Sequence, residues 1–163
     1  MRRLRRADWL VFWSALFAAA SLSIYWFRVA PSPLPAGWVG YAPLPAHDTG
    51  WDALGWGTVA LILVTAALAL VLVVLIASGA RDAVNVPPGV FLCALTPLTF
   101  LVTLIVTLVK LGGGTTLETG GWVGVGSLAF LTAGAWLSIR DERVDQPSRH
   151  VEPPPARPAP PAA

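Results

Sequence analysis

Hydrophobic residues along this chain are gathered into four long runs, which are separated by segments rich in glycine, proline and charge. The second run, residues 57–78, contains no charged residue, and thirteen of its side chains are Leu, Ile or Val. Insertion of such a run into a bilayer is favourable by on the order of 5 kcal/mol. As a helix it rises about 33 Å, which is enough to cross a hydrocarbon core of about 30 Å. The pattern therefore predicts a membrane-spanning helix over residues 57–78.

Three further runs have the length and apolar character of spans, and together the four predict an all-α integral membrane four-helix bundle. The predicted spans cover residues 9–27, 57–78, 90–109 and 122–139. Between them lie a loop at 28–56, a turn at 79–89 and a glycine-rich loop at 110–121. A basic segment, residues 1–8, precedes the first span, and a tail, residues 140–163, follows the last.

The first run also has features of a secretory signal peptide, because four arginines precede it. At nineteen residues it is longer than the usual apolar region of about 7 to 15 residues. It ends in Tyr25-Trp26-Phe27-Arg28, where cleavage requires small residues. We therefore interpret it as a span, with Tyr25 and Trp26 in an interfacial aromatic belt and Arg28 reaching the head groups.

Basic residues predict the orientation of the spans. Four lie in the N-terminal segment, one in the 79–89 turn and four in the C-terminal tail, whereas the two remaining loops hold only Arg28 and Lys110. Loops rich in Lys and Arg stay in the cytoplasm. The distribution predicts a multi-pass protein of the plasma membrane with both termini cytoplasmic.

Composition agrees with the membrane class, since 55% of residues are hydrophobic, 12% are charged and the mean hydropathy is +0.66. The net charge of +2 lies at chain ends and loop edges; it indicates topology and not binding to nucleic acid. Cys93 is the only cysteine, so an intrachain disulfide is excluded. The excess of Arg over Lys, with abundant Ala, Gly, Val and Pro, suggests a GC-rich bacterial genome.

The 28–56 loop holds the nearest approach to a reactive cluster, in His47, Asp48 and Asp52. A metal site would need further ligands, which the loop lacks, so we favour a solvated loop. Asp52 also suits the first turn of the following helix. Prolines in this loop disfavour a helix or a central strand, and its aromatic residues suit the membrane surface. The prolines are Pro31, Pro33, Pro35, Pro43 and Pro45, and the aromatic residues are Trp38, Tyr41, Trp51 and Trp56.

Four threonines of the third span, Thr96, Thr99, Thr103 and Thr107, fall with Cys93 on one helical face. Such a face either lines a path for a solute or packs against another helix, because small hydroxyl residues allow close approach. We favour helix packing, since no span has an ionisable residue in its interior. Pro97 predicts a kink in this span.

Small residues also form a stripe on the fourth span, composed of Gly124, Ser127, Gly134 and Ser138. The spacing is typical of close packing between helices. Glycines in the preceding loop lack the Lys-Ser/Thr ending of a phosphate-binding loop. The tail combines mixed charge with dense proline, which predicts disorder with polyproline II character; a PxxP ligand at residues 155–158 is the alternative.

Residues 51–143 resemble a family of uncharacterised four-span membrane proteins of high-GC Gram-positive bacteria. The resemblance is carried by Trp51-Asp52-Ala53, by Leu117-Glu118 after a glycine-rich loop, and by the segments Gly121-Trp122-Val123-Gly124 and Gly134 to Arg143. Lys110 and the triple glycine depart from the pattern. The family has no assigned activity, so the resemblance implies location and topology alone.

No catalytic, cofactor-binding or metal-binding residues are predicted, because the spans contain neither a nucleophile with a base nor paired carboxylates nor a histidine. We predict a non-enzymatic structural or accessory subunit, whose partners are the lipid bilayer and either a second copy of itself or a larger membrane protein. The alternatives are a small transporter or channel subunit that uses the threonine face, and an enzyme that acts at the outer surface through His47, Asp48 and Asp52.

Overall fold

The computed structural model describes residues 4–29, 46–78 and 88–144, which form five helices and three short strands. In chain order these elements are α1 (Arg6–Ser21), β1 (Tyr25–Val29), β2 (Ala46–Thr49), α2 (Gly50–Ala53), α3 (Trp56–Ser78), α4 (Pro88–Gly112), β3 (Thr115–Leu117) and α5 (Thr119–Val144).

The four long helices pack side by side, with α5 in contact with α1 and α4, and α3 in contact with the same two helices. Three of them are long and apolar enough to cross a membrane, over Trp56–Ser78, Gly89–Gly112 and Thr119–Arg140. This confirms the prediction of apolar, membrane-length helices. Helix α1 has sixteen residues and rises only about 24 Å.

A three-stranded antiparallel sheet, in the order β2-β1-β3, lies at one end of these helices, which we call the sheet end. Arg28 pairs with His47 of β2 on one side and with Thr116 of β3 on the other. The strands come from the segment after α1, the segment before α2, and the connection between α4 and α5. The sheet therefore joins the ends of all four long helices.

Trp26 is the central side chain of the core at the sheet end. It is fully buried, and its indole N–H donates to the carbonyl oxygen of Ser21 at 2.7 Å. A Cβ atom at Gly50 would lie 2.7 Å from the indole nitrogen, and one at Gly124 would overlap the ring itself. Both positions must be glycine for the ring to fit, because any side chain there would occupy its volume.

The first predicted span, residues 9–27, is wrong after Ser21. Helix α1 ends at Ser21, and i→i−3 bonds from Leu22, Ser23 and Ile24 tighten its last turn. The chain then enters β1, so Trp26 is buried in the core and is not part of an interfacial belt. Arg28 binds Glu118.

The loops also contain more regular structure than predicted. Residues 46–53 form β2 and α2 within the predicted 28–56 loop, and β3 lies within the predicted 110–121 loop. Helix α5 starts at Thr119 and continues to Val144, beyond the predicted 122–139 span and into the predicted tail. Asp52 lies in the first turn of α2 and not of the following span, and helix α4 runs through Pro97.

Several predictions fall outside the described residues. These are the prolines and the aromatic residues Trp38 and Tyr41 of the 28–56 loop, the turn at 79–87, and the disordered tail with its PxxP segment. The two other aromatic residues of that loop, Trp51 and Trp56, are exposed, by 50% and 88%.

Candidate functional site

A charged cluster lies on the sheet and is centred on Glu118, the residue between β3 and α5. Its Oε1 atom accepts from Arg28 Nε at 2.8 Å, and its Oε2 atom lies 3.1 Å from His47 Nδ1. Strand pairing produces this arrangement, because Arg28 and His47 are cross-strand partners. The Glu118 backbone N–H also donates to the Trp26 carbonyl at 2.8 Å, which fixes the glutamate beside β1.

The electrostatics of the cluster keep Glu118 ionised. Partial burial acts to raise the pKa of Glu118, but hydrogen bonds and charge from His47 and Arg28 oppose it, and the net pKa lies below the usual value. Both carboxylate oxygens are engaged by these two partners. A carboxylate that is held ionised and fully engaged is a poor general base, so the arrangement serves to connect strands.

The acidic residues near His47 do not complete a metal site. Asp52 accepts from the Thr49 hydroxyl at 2.7 Å, and the His47 ring packs against Tyr25 with ring centroids 5.1 Å apart. Across residues 4–29, 46–78 and 88–144, no three His, Cys, Asp or Glu side chains lie together as metal ligands do.

No local pattern in the sequence predicts the pairing of Arg28 with Glu118. Ninety residues separate the two along the chain. The one indication in the sequence is that Arg28 and Glu118 carry opposite charges and lie in loops predicted to face the same side of the membrane.

The threonine face of α4, comprising Thr96, Thr99, Thr103 and Thr107, is almost completely buried, with exposed fractions of 0 to 2%. Thr99 Oγ1 lies 2.7 Å from Thr65 Oγ1 of α3 and 2.9 Å from the Leu95 carbonyl, and Thr65 Oγ1 lies 2.7 Å from the Leu61 carbonyl. Each hydroxyl has one proton, so two of these three contacts are hydrogen bonds at any moment. The Thr107 hydroxyl donates to the Thr103 carbonyl at 2.8 Å.

Two hydroxyls of this face differ from the others. Thr96 Oγ1 and Thr103 Oγ1 are buried and have no hydrogen-bond partner among the described residues. An unpaired buried hydroxyl costs about 1 to 3 kcal/mol. Within the described residues, no protein group satisfies these two hydroxyls.

The small-residue stripe of α5 is buried and lies largely against α1. A Cβ atom at Gly124 would meet Trp26 and Ser21, and one at Gly134 would lie 2.9 Å from Val11 Cγ2 of α1. Ser127 and Ser138 are each 8% exposed. Helical spacing identified these residues as packing residues, but it named no partner helix for them.

Within the described residues, three of the surface grooves lie between pairs of helices. The first, between α1 and α5, has a volume of about 520 Å³, and the second, between α4 and α5, about 600 Å³. The third, between α3 and α4, has a volume of about 480 Å³ and an apolar lining. The first is lined by Leu10, Trp13, Ser14, Phe17, Trp122, Val123, Gly126, Ser127 and Phe130. The second is lined by Val90, Cys93, Ala94, Trp136, Ile139 and Arg140.

Comparisons with known protein families, with characterised proteins and with solved structures find no match to this chain. A functional proposal must therefore come from the geometry itself.

Proposed function

We propose that this chain is a non-enzymatic accessory subunit of a membrane assembly, which crosses the plasma membrane four times with both termini in the cytoplasm. The three membrane-length helices and the bias of basic residues support this placement. The resemblance of residues 51–143 to four-span bacterial proteins agrees with it.

Helix α1 serves as the fourth span in this proposal although it is short. Its last residue lies at the sheet end, where α3 and α5 begin, and it packs against both helices. Beyond Ser21 the chain still has buried side chains, at Leu22, Trp26 and Phe27. Phe27 pairs within the sheet and Trp26 lies inside the core, so their backbone groups do not face lipid. Non-helical backbone at membrane depth must be shielded from lipid in this way.

The observation that carries the accessory role is the α1–α5 groove. Its floor contains Gly126, where a Cβ atom would meet nothing within 4 Å, so a neighbouring helix could approach closely. Aromatic side chains rise beside it, with Trp13 48% and Trp122 69% exposed. Large exposed apolar side chains around a small-residue floor offer van der Waals contact, which drives helix association in lipid.

A matched pair of variants tests this role. Purified in mild detergent, the wild-type protein should elute with a stoichiometric second chain, either another copy or a different membrane protein, by light scattering and mass spectrometry. Gly126→Leu fills the groove floor and should abolish the complex, whereas Ala67→Leu, on the exposed surface of α3, should retain it. A wild-type monomer, or a complex that survives Gly126→Leu, would contradict the proposal.

A transporter or channel subunit is the second candidate, and the unpaired hydroxyls of Thr96 and Thr103 favour it. Proteoliposomes loaded with radiolabelled sodium, or with a pH-sensitive dye for protons, would reveal such an activity. Thr103→Val should abolish the flux, while Thr132→Val, whose hydroxyl donates to the Leu128 carbonyl outside the threonine face, should leave it unchanged. Absence of flux in the wild type excludes conduction of these two ions.

A further inference from the structure

We propose that the α4–α5 groove binds an anionic phospholipid, with the lipid phosphate on Arg140 and an acyl chain along the apolar lining. This inference rests on the membrane placement proposed above. It concerns a different surface from the α1–α5 groove, so the two can fail independently.

The position of Arg140 supports a head-group contact. It is the last residue of the membrane-length part of α5, and the groove also includes Val90 near the start of α4. Both residues lie at the end opposite the sheet. The phosphates of the cytoplasmic leaflet are therefore at the level of the guanidinium in the proposed orientation.

The charge of Arg140 selects the kind of ligand. Its side chain is exposed and has no ion-pair or hydrogen-bond partner in the part of the chain that the structure describes. A guanidinium binds phosphate through two parallel N–H donors. Of the three grooves described above, only this one is lined by a charged side chain.

The remainder of the groove suits an acyl chain. Apart from Arg140 and Cys93, the lining residues are Val90, Ala94, Trp136 and Ile139, which are apolar or aromatic. Trp136 is 67% exposed and stands one helical turn before Arg140, on the same face. Indole rings favour the depth at which acyl chains meet head groups, so Trp136 marks the boundary between the two parts of the site.

An anionic phospholipid fits this groove better than either a partner helix or a zwitterionic lipid. A partner helix would place its apolar side chains against the charged guanidinium of Arg140, which is costly. A zwitterionic lipid carries a cationic group beside its phosphate, and that group would face the same guanidinium. The head group of phosphatidylglycerol is anionic and has no cationic group.

Cys93 provides a direct readout because it lines the groove and is the only cysteine of the chain. The full chain is reconstituted into vesicles of dioleoyl phosphatidylcholine, with or without dioleoyl phosphatidylglycerol. Alkylation of Cys93 by uncharged N-ethylmaleimide is then followed by mass spectrometry. The anionic lipid should slow alkylation by about tenfold, since an occupied groove covers the thiol.

Two variants separate the site from general surface charge. Arg140→Gln should remove the protection, whereas Arg6→Gln, which deletes an exposed arginine at the same end of the bundle, should retain it. Protection that persists in Arg140→Gln, or equal alkylation rates of the wild type in both vesicles, would overturn the proposal. Loss of protection in Arg6→Gln as well as in Arg140→Gln would overturn it too, since only the summed charge would then matter.

The same preparation tests the membrane placement separately. Recovery of the chain in the soluble fraction contradicts that placement. A chain that floats with the vesicles but shows no protection contradicts only the lipid site.

Discussion

At the scale of single residues, Gly124 packs against the Trp26 ring so closely that no side chain fits between them. A methyl group at this position would overlap the ring and would also lie 2.8 Å from Ser21 Oγ. We expect Gly124→Ala to lower the free energy of unfolding by about 1 to 3 kcal/mol, as overpacking of a dense core does. Unfolding in sodium dodecyl sulfate, followed by circular dichroism, measures the change.

Gly126 is the matched control, two residues further along the same helix. A Cβ atom there meets nothing within 4 Å. Gly126→Ala should leave the stability unchanged or raise it by up to about 1 kcal/mol, because alanine is the better helix former. Equal losses of unfolding free energy in Gly124→Ala and Gly126→Ala would show that the close fit around Trp26 is not the cause of the destabilisation.

Trp26 itself should be the most sensitive aromatic position. Trp26→Ala removes a fully buried side chain and should cost about 3 to 5 kcal/mol of unfolding free energy. Trp26→Phe retains most of the volume but loses the donor to the Ser21 carbonyl, and should cost about 1 kcal/mol or somewhat more.

The comparison for Trp26 is Trp56, which is 88% exposed. Trp56→Ala should leave the unfolding free energy nearly unchanged in the same detergent titration. A loss as large as that of Trp26→Ala would mean that Trp56 has a buried partner which the fold does not show.

At the scale of elements, the sheet is held by charge as well as by its backbone ladder. The pKa of Glu118 is lower in the folded protein than its ordinary value because of His47 and Arg28, although burial opposes this. Such a group stabilises the fold fully above its unfolded pKa of about 4.3, and its contribution is lost as the pH falls through the lower folded pKa.

Acid titration should therefore distinguish Glu118→Gln from the wild type. Between about pH 5 and pH 3 the wild-type melting temperature should fall more steeply than that of the variant, which has no carboxylate to protonate. Glu152→Gln, a carboxylate of the C-terminal segment, should retain the steeper fall. Identical slopes for the wild type and Glu118→Gln would refute the contribution of this ion pair.

Elements also differ in how far the sequence could predict them. The sequence predicts a helix at 57–78, and helix α3 spans Trp56–Ser78. The agreement is close because an uninterrupted apolar run of this length is typical of a membrane-spanning helix. Residues Tyr25, Trp26 and Phe27 were assigned to a helix because hydrophobicity alone does not distinguish a buried strand from the end of a buried helix. Phe27 pairs with Leu117 of β3, about ninety residues away along the chain, so no local pattern reveals this pairing.

The small residues of α5 show the same limit within the candidate site. Helical spacing identified Gly124 and Gly134 as packing residues, because periodicity reports which side of a helix is small. It does not report which neighbour approaches that side. The partner proved to be α1 together with Trp26, and this depends on the topology of the whole bundle.

At the scale of the whole molecule, the topology proposed above predicts which end of the bundle faces out of the cell. The sheet end should lie outside the cell, and both chain termini inside. In a Cys93→Ser background, Thr116→Cys on exposed β3 should react with a membrane-impermeant maleimide added to intact cells. A cysteine appended after Ala163 should react only after permeabilisation, and the reverse pattern would exclude the proposed topology.

The order in which the strands are synthesised has a consequence for biogenesis. β1 leaves the ribosome about ninety residues before its partner strand β3 and Glu118. At roughly 5 to 20 residues per second, translation leaves the edge of β1 that pairs with β3 uncovered for about 5 to 20 seconds. In the proposed topology, the nascent chain exposes a hydrophobic strand on the outer side of the membrane during this interval. Assembly factors and proteases of that compartment would meet this intermediate first.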